Sequence, residues 1–177
     1  SCFPKDVQAL VKSGNDAGYN FEILNSVIRI NQNQKTILFP KMKNYFKGSL
    51  SGKKIAVWGL AFKPDTDDIR EAPALYLIEK LIDSGAKVCA YDPEAMDNVK
   101  SVIGYKIDYA LNEYEVLTDC DALLICTEWS VFRNPDFERM KDEMRDLVVF
   151  DGRNLFDLED MNNRGFYYSS IGRKLIE

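Results

Sequence analysis

Four polar segments interrupt an otherwise apolar pattern, and each directly follows a short hydrophobic run. They are Gly59 through Glu71, Asp92-Pro93, Thr127-Glu128-Trp129 and Asp151-Gly152-Arg153-Asn154. Lys63, Arg70 and Arg153 supply these segments with cations. An arginine holds a phosphate through two parallel N–H groups, and a lysine acts on it as a point charge. Taken singly, the charge-rich 63–71 stretch reads as a solvated loop with local ion pairs. Recurrence of such segments after several hydrophobic runs favours an anion-binding site instead. The other reactive position is Cys2, in Ser1-Cys2-Phe3-Pro4-Lys5-Asp6, just ahead of a helical pattern. A helix N-terminus and a nearby cation both lower a thiol's pKa, which would make Cys2 a nucleophile, with Asp6 as a base or a holder of water. By spacing alone the plainer reading is favoured: an incidental cysteine, with Asp6 serving the helix dipole.

The chain of 177 residues contains no histidine. Ser-His-Asp and Cys-His catalysis are thereby excluded, as is any His-ligated metal. Cys2, Cys89, Cys120 and Cys126 form no C-x-x-C pair, so no metal is expected. Cys89 and Cys126 lie inside apolar runs, where a thiol packs as a small hydrophobe, and the setting expected is reduced and cytoplasmic. Lys and Arg number 23 against 28 Asp and Glu, a net charge of −5. No nucleic-acid partner is expected of such a balance. No apolar run approaches the ~20 residues of a membrane span, and no secretory signal opens the chain. The lack of an initial Met points to a piece of a longer protein.

The runs ahead of the polar segments have the lengths of buried strands. They cover 54–59, 87–91, 123–126 and 147–150, and 166–171 reads as an edge strand. Between the first two, 73–84 carries Leu75, Leu77, Ile78, Leu81 and Ile82 at helical spacing, with Pro73 at its start. Residues 134–144 read as helix, and 111–118 show a fainter helical pattern. Strand and helix in alternation predict an α/β fold: a Rossmann-like parallel sheet with helices on both faces. Ligands bind such sheets at the C-terminal ends of the strands, where the polar segments fall. Residues 1–48 are expected to be a helical segment apart from a sheet domain at 49–177, with 48–52 as the linker. In that segment 6–17 is helical. A second apolar pattern runs through Phe21, Leu24, Ile28, Leu38, Met42 and Tyr45, interrupted by polar 31–34 and by Pro40, which kinks or breaks a helix. A connector facing other domains or a second subunit fits this pattern, and so does a plain helical hairpin.

A dinucleotide sheet would carry G-x-G-x-x-G after its first strand and an acid about 20 residues further on. Only Gly59 is present there, followed by Leu60 and Ala61, and Asp92 lies 33 residues beyond it. The sheet is therefore expected to bind something other than a dinucleotide along its first loop.

Beyond these readings, Ser1-Cys2-Phe3-Pro4-Lys5-Asp6 resembles the catalytic cysteine motif of the UDP-glucose 6-dehydrogenases, in the UDP-glucose/GDP-mannose dehydrogenase family. The segments 59–71, Tyr91-Asp92-Pro93, Cys126-Thr127-Glu128-Trp129 and Phe150-Asp151-Gly152-Arg153-Asn154 resemble the same family in the same order. Phe3 and the Thr-Glu-Trp segment separate it from GDP-mannose and N-acetyl-hexosamine relatives, so the substrate implied is UDP-glucose. The resemblance implies oxidation of the sugar C6 alcohol to a carboxylate with NAD as cofactor, through a thiohemiacetal and a thioester on Cys2, and release of UDP-glucuronate. It implies that Asp6 orients the hydrolytic water, that Lys5 and Arg70 contact NAD, and that Phe62, Lys63 and Arg153 hold the UDP-sugar. It further implies that 1–48 ends the catalytic loop and belongs to a central helical region that builds a homodimer. Family members begin with an NAD-binding domain, so this chain alone is expected to be inactive. The competing class is a non-catalytic nucleotide-sugar-binding module, which would have no need of the cysteine hexapeptide.

Overall fold

The computed structural model describes residues 2–176, with side chains from Lys5 onward. The strands in chain order are β1 (Lys54–Trp58), β2 (Lys87–Tyr91), β3 (Asp108–Tyr109), β4 (Ala122–Ile125), β5 (Val148–Asp151) and β6 (Tyr167–Ser170). The helices are α1 (Cys2–Asp16), α2 (Glu22–Lys35), α3 (Leu38–Tyr45), α4 (Pro73–Asp83), α5 (Met96–Ile103), α6 (Ser130–Arg133), α7 (Phe137–Glu143) and α8 (Leu158–Asn163). The sheet order is β3-β2-β1-β4-β5-β6, and every neighbouring pair is parallel. This is a doubly wound order, in which the chain reverses its direction of travel between β1 and β4. Every residue of β4 and β5 is buried, as strands covered on both faces must be. The α/β, Rossmann-like expectation therefore holds.

Trp58 lies level with Ile125, Ile125 with Asp151, and Asp151 with Ser170. The polar segments after β1, β4 and β5 thus leave the sheet side by side along one edge.

Local chemistry sets the helix bounds. Pro73 occupies the first position of α4, where its missing N–H leaves no bond unmade. The helix expected over 134–144 is α7, which begins after Pro135; the short α6 ahead of it was not expected. Asp136 caps α7 by accepting from the N–H groups of Glu138 and Arg139, both at 3.1 Å. A 3₁₀ turn over Glu115–Leu117 stands in the fainter 111–118 pattern. β3, α5 and α8 were not expected: β3 has two residues, and α8 is a single capped turn and a half.

The 21–46 pattern is two helices. The break falls at Thr36, four residues before Pro40, where the proline ring meets the carbonyl it cannot bond. That carbonyl accepts instead from the Phe39 N–H at 3.0 Å, and Pro40 sits within the first turn of α3. Leu38 and Met42 of α3 are buried in the same hydrophobic core as the sheet. Leu50, inside the 48–52 stretch, is buried there too, and the Gly52 N–H donates to the Gly85 carbonyl at 2.8 Å.

Candidate functional site at the ends of the central strands

Two buried aspartates build the edge of the sheet on which a ligand would rest. Asp92, 1% exposed, directly follows β2. Its Oδ2 accepts from Leu60 N (2.6 Å), Ala61 N (3.0 Å) and Trp129 Nε1 (2.9 Å), and its Oδ1 from Glu94 N (2.9 Å) and Ala95 N (2.8 Å). One carboxylate thereby fastens the turn after β1, the turn after β2 and the segment after β4. Gly59 makes that junction possible. Its φ is +86°, and a Cβ there would lie 2.5–2.8 Å from Thr127 atoms. The Thr127 hydroxyl donates to the Ala61 carbonyl at 2.6 Å.

Asp151 does the same for the segment after β5. It is fully buried and accepts from Arg153 N (2.7 Å), Asn154 N (2.8 Å), Leu155 N (2.7 Å) and the Tyr168 hydroxyl (2.6 Å). An aspartate bonding backbone two or more residues on is a turn-forming device. Here it fixes the Cα of Arg153. A Cβ on Gly152 would come within 2.9 Å of the Ile125 carbonyl, so β4 and β5 end in close contact.

Between these fastened turns and the packed ends of α2, α3 and α4 lies a cleft of about 550 Å³. Phe62, Ile125 and Cys126 line it, and two ion pairs face it. In one, Arg153 on the β5 turn binds Glu128 on the β4 segment in a two-pronged grip: Nε to Oε2, and Nη2 to Oε1 at 2.7 Å. Burial pulls the Glu128 carboxyl up, but the hydrogen bonds and charge of Arg153 outweigh it and hold the group below its usual range. In the other, Lys35, 8% exposed at the end of α2, binds Glu71 and lies 4.4 Å from the Tyr76 ring centroid. The Lys35 bond is the main cause that keeps the Glu71 carboxyl below its usual range. Burial pushes the Cys126 thiol up to about 12, so it stays a neutral part of the floor at pH 7.

Of the residues expected at the site, Phe62 and Arg153 meet in this cleft. Lys63 is exposed on the adjoining loop, and its ammonium has no partner among the described residues. Arg70 points away, in a two-pronged pair with Asp68 (2.8 Å and 2.8 Å) on an exposed face beside Asn98. Lys5 and Asp6 are exposed on α1, which packs against α2, and neither lines the cleft. The Cys2 side chain lies outside the described residues. Sequence reasoning left Glu128, Lys35, Glu71 and Asp151 without roles. Asp151 carries a legible signal, an aspartate before glycine at a strand end. Lys35 and Glu71 are 36 residues apart and carry none.

The turn after β1 does not fit NAD: Asp92, in the place of a ribose-binding acid, already satisfies five N–H groups. Among the described residues no group of acidic or cysteine side chains could hold a metal, and no helix is long and apolar enough to cross a membrane.

Residues 56–158 match the UDP-binding domain of the UDP-glucose/GDP-mannose dehydrogenase family. The chain is 43% identical over 178 aligned positions to a UDP-glucose 6-dehydrogenase of Pseudomonas aeruginosa, covering 98% of this chain and 39% of that protein. Among solved structures it is similar to a UDP-glucose dehydrogenase from Pyrobaculum islandicum, with a TM-score of 0.77 and 33% identity over 86% of this chain and 34% of that one. A UDP-D-ManNAc dehydrogenase from Pyrococcus horikoshii also has a TM-score of 0.77, at 28% identity over 97% of this chain and 38% of that one. The chain thus spans about two fifths of the length of the curated relatives it matches. A match over more than half of the chain, on the same strands and turns that form the cleft, establishes that this chain belongs to the UDP-glucose/GDP-mannose dehydrogenase family and carries its UDP-binding domain.

Proposed function

We propose that the cleft binds the UDP part of a nucleotide sugar, and that the chain is the UDP-binding portion of a cytoplasmic UDP-glucose 6-dehydrogenase, which oxidises UDP-glucose to UDP-glucuronate. The observation that carries this is Arg153: an arginine on a backbone fixed by a buried aspartate, at the C-terminal end of a central parallel strand, facing a cleft of nucleotide size. Phe62 supplies an apolar wall, through its ring or its backbone. Lys63, unpaired among the described residues and one residue away, supplies a second positive charge for a diphosphate.

In this reading residues 1–48 end the catalytic loop and carry the later part of a central helical region, and 49–177 bind UDP. Cys2 adds as a thiolate to the C6 aldehyde, which keeps that intermediate bound, and Asp6 directs the water that frees the acid from the thioester. Lys5 and Arg70 contact NAD, which accepts hydride when bound. The chain alone is inactive. Leu10, Ile23 and Ile30, exposed on α1 and α2, support a homodimer of the whole enzyme through this face.

Titration calorimetry of the chain with UDP, UDP-glucose and GDP tests the site. UDP and UDP-glucose should bind in preference to GDP. Arg153→Ala and Lys63→Ala should each weaken binding about tenfold, the value of one charge-assisted hydrogen bond. Arg153→Lys should recover only part of the loss, because lysine lacks the planar fork. Equal binding of all three ligands, unaffected by either alanine, would place the site elsewhere.

A further inference from the structure

We infer that Glu128 is a positioning residue for nucleotide binding: it holds the side of the Arg153 guanidinium so that the end faces the cleft. The inference rests on the reading of the cleft as the UDP site and adds a residue to it.

A guanidinium has five N–H donors, one on Nε and two on each terminal nitrogen. Glu128 takes the Nε donor and one Nη2 donor. Both Nη1 donors and the second Nη2 donor are left without a bond among the described residues. Of these three, the second Nη2 donor and one Nη1 donor point end-on in the same plane, so an anion can take both without displacing Glu128. Arg153 is thereby poised for a second two-pronged contact, end-on, while the first, side-on, stays in place.

Both partners stand on fixed backbone. Glu128 is flanked by Thr127, 0% exposed and bonded to the Ala61 carbonyl, and by Trp129, 5% exposed and bonded to Asp92. Arg153 is fixed through Asp151. What remains free in an arginine so mounted is its long stem, and Glu128 removes that freedom before the ligand arrives. Ordering a flexible side chain on binding has a cost, and a partner that orders it beforehand strengthens binding. Set against this is the repulsion between the Glu128 carboxylate and the phosphates. The positioning effect wins because the pair is built on two rigid turns, on the walls of the cleft, and the remaining donors of Arg153 have no bond among the described residues.

The test is calorimetric titration of the 177-residue chain with UDP, for the parent, Glu128→Ala, Glu128→Gln, Arg153→Ala and the Glu128→Ala/Arg153→Ala double variant, each with its thermal midpoint. Glu128→Ala should bind UDP about fivefold more weakly. Glu128→Gln should be close to it, since an amide offers one acceptor where two are needed. The Glu128→Ala loss should vanish when Arg153 is already alanine, a coupling that a purely structural role would not produce. Glu128→Ala binding UDP as well as the parent or better, or losing the same factor in the Arg153→Ala background, would overturn the inference while leaving the site reading intact. Arg153→Ala binding UDP like the parent, or a parent that does not bind UDP, would remove the site reading and the inference together.

Discussion

Asp92 is surrounded only by donors, and that settles its role. Five N–H groups from three separate turns converge on one buried carboxylate. Asp92→Asn changes hardly any volume but turns an NH2 toward backbone N–H groups that then have no acceptor. The expected loss is about 2–4 kcal/mol in urea unfolding, the cost of several buried donors left unmatched. A loss below about 1 kcal/mol would mean that the turns hold themselves in place. The sequence displayed this aspartate clearly, and its spacing from Gly59 spoke against a ribose contact; only the inward turn of the side chain shows what it does instead, a structural bond. Arg153 was legible as a candidate cation from the Asp-Gly-Arg-Asn segment, and the structure puts it on the wall of the cleft. Its Glu128 partner was legible only as part of a motif, since the stretch between the two, 25 positions apart, carries no sign of the pairing.

At the scale of elements, α3 is the informative case. Its apolar residues continue the spacing of α2, so periodicity joined it to the preceding helix, and the Gly- and Ser-rich stretch 48–52 put a boundary after it. In the fold, Leu38 and Met42 fill the core beside β5 and α4, at 2% and 0% exposure. Removing a buried Leu or Met side chain costs about 2–5 kcal/mol. A chain starting at residue 49 should therefore unfold at a much lower urea concentration than the full chain, whereas one starting at residue 36 should keep most of the stability. Equal urea midpoints for the 49–177 and 1–177 chains would show that α3 adds nothing to the core. Pro40 was read correctly as a breaker, but the position of the break follows from which carbonyl the ring meets.

For the whole molecule, the ion pairs give a stability profile with a fixed sign. The Glu71, Glu128 and Asp68 carboxyls are all held below their ordinary values of 4.5, 4.5 and 3.8. As the pH falls, the unfolded chain takes up protons first, so their contribution is complete above the ordinary values and is lost as the pH drops through the lowered ones. The chain has no histidine, so no side chain of ordinary pKa changes charge between about pH 5 and 8. The thermal midpoint should stay level from about pH 8 to 5 and fall below that, and Glu71→Gln should make the acid fall shallower. A midpoint that drops between pH 8 and 6, or rises below pH 4, would contradict this assignment.

The alternation of strands and helices, the parallel sheet, and the polar segments that crowd its C-terminal edge were all readable in the order of the residues. These are local properties: apolar period, run length, and the turn chemistry of Gly, Pro and Asp. The tertiary structure decided which of the polar residues meet. Lys35 reaches Glu71 across 36 positions, Glu128 reaches Arg153 across 25, and Asp92 reaches Trp129 across 37. No local pattern encodes such distances, because they arise when the sheet order 3-2-1-4-5-6 sets β4 between β1 and β5. The same order decided which expected cations share the cleft: Arg153, at the end of β5, faces it, while Arg70, on a loop folded back toward α5, pairs with its neighbour Asp68.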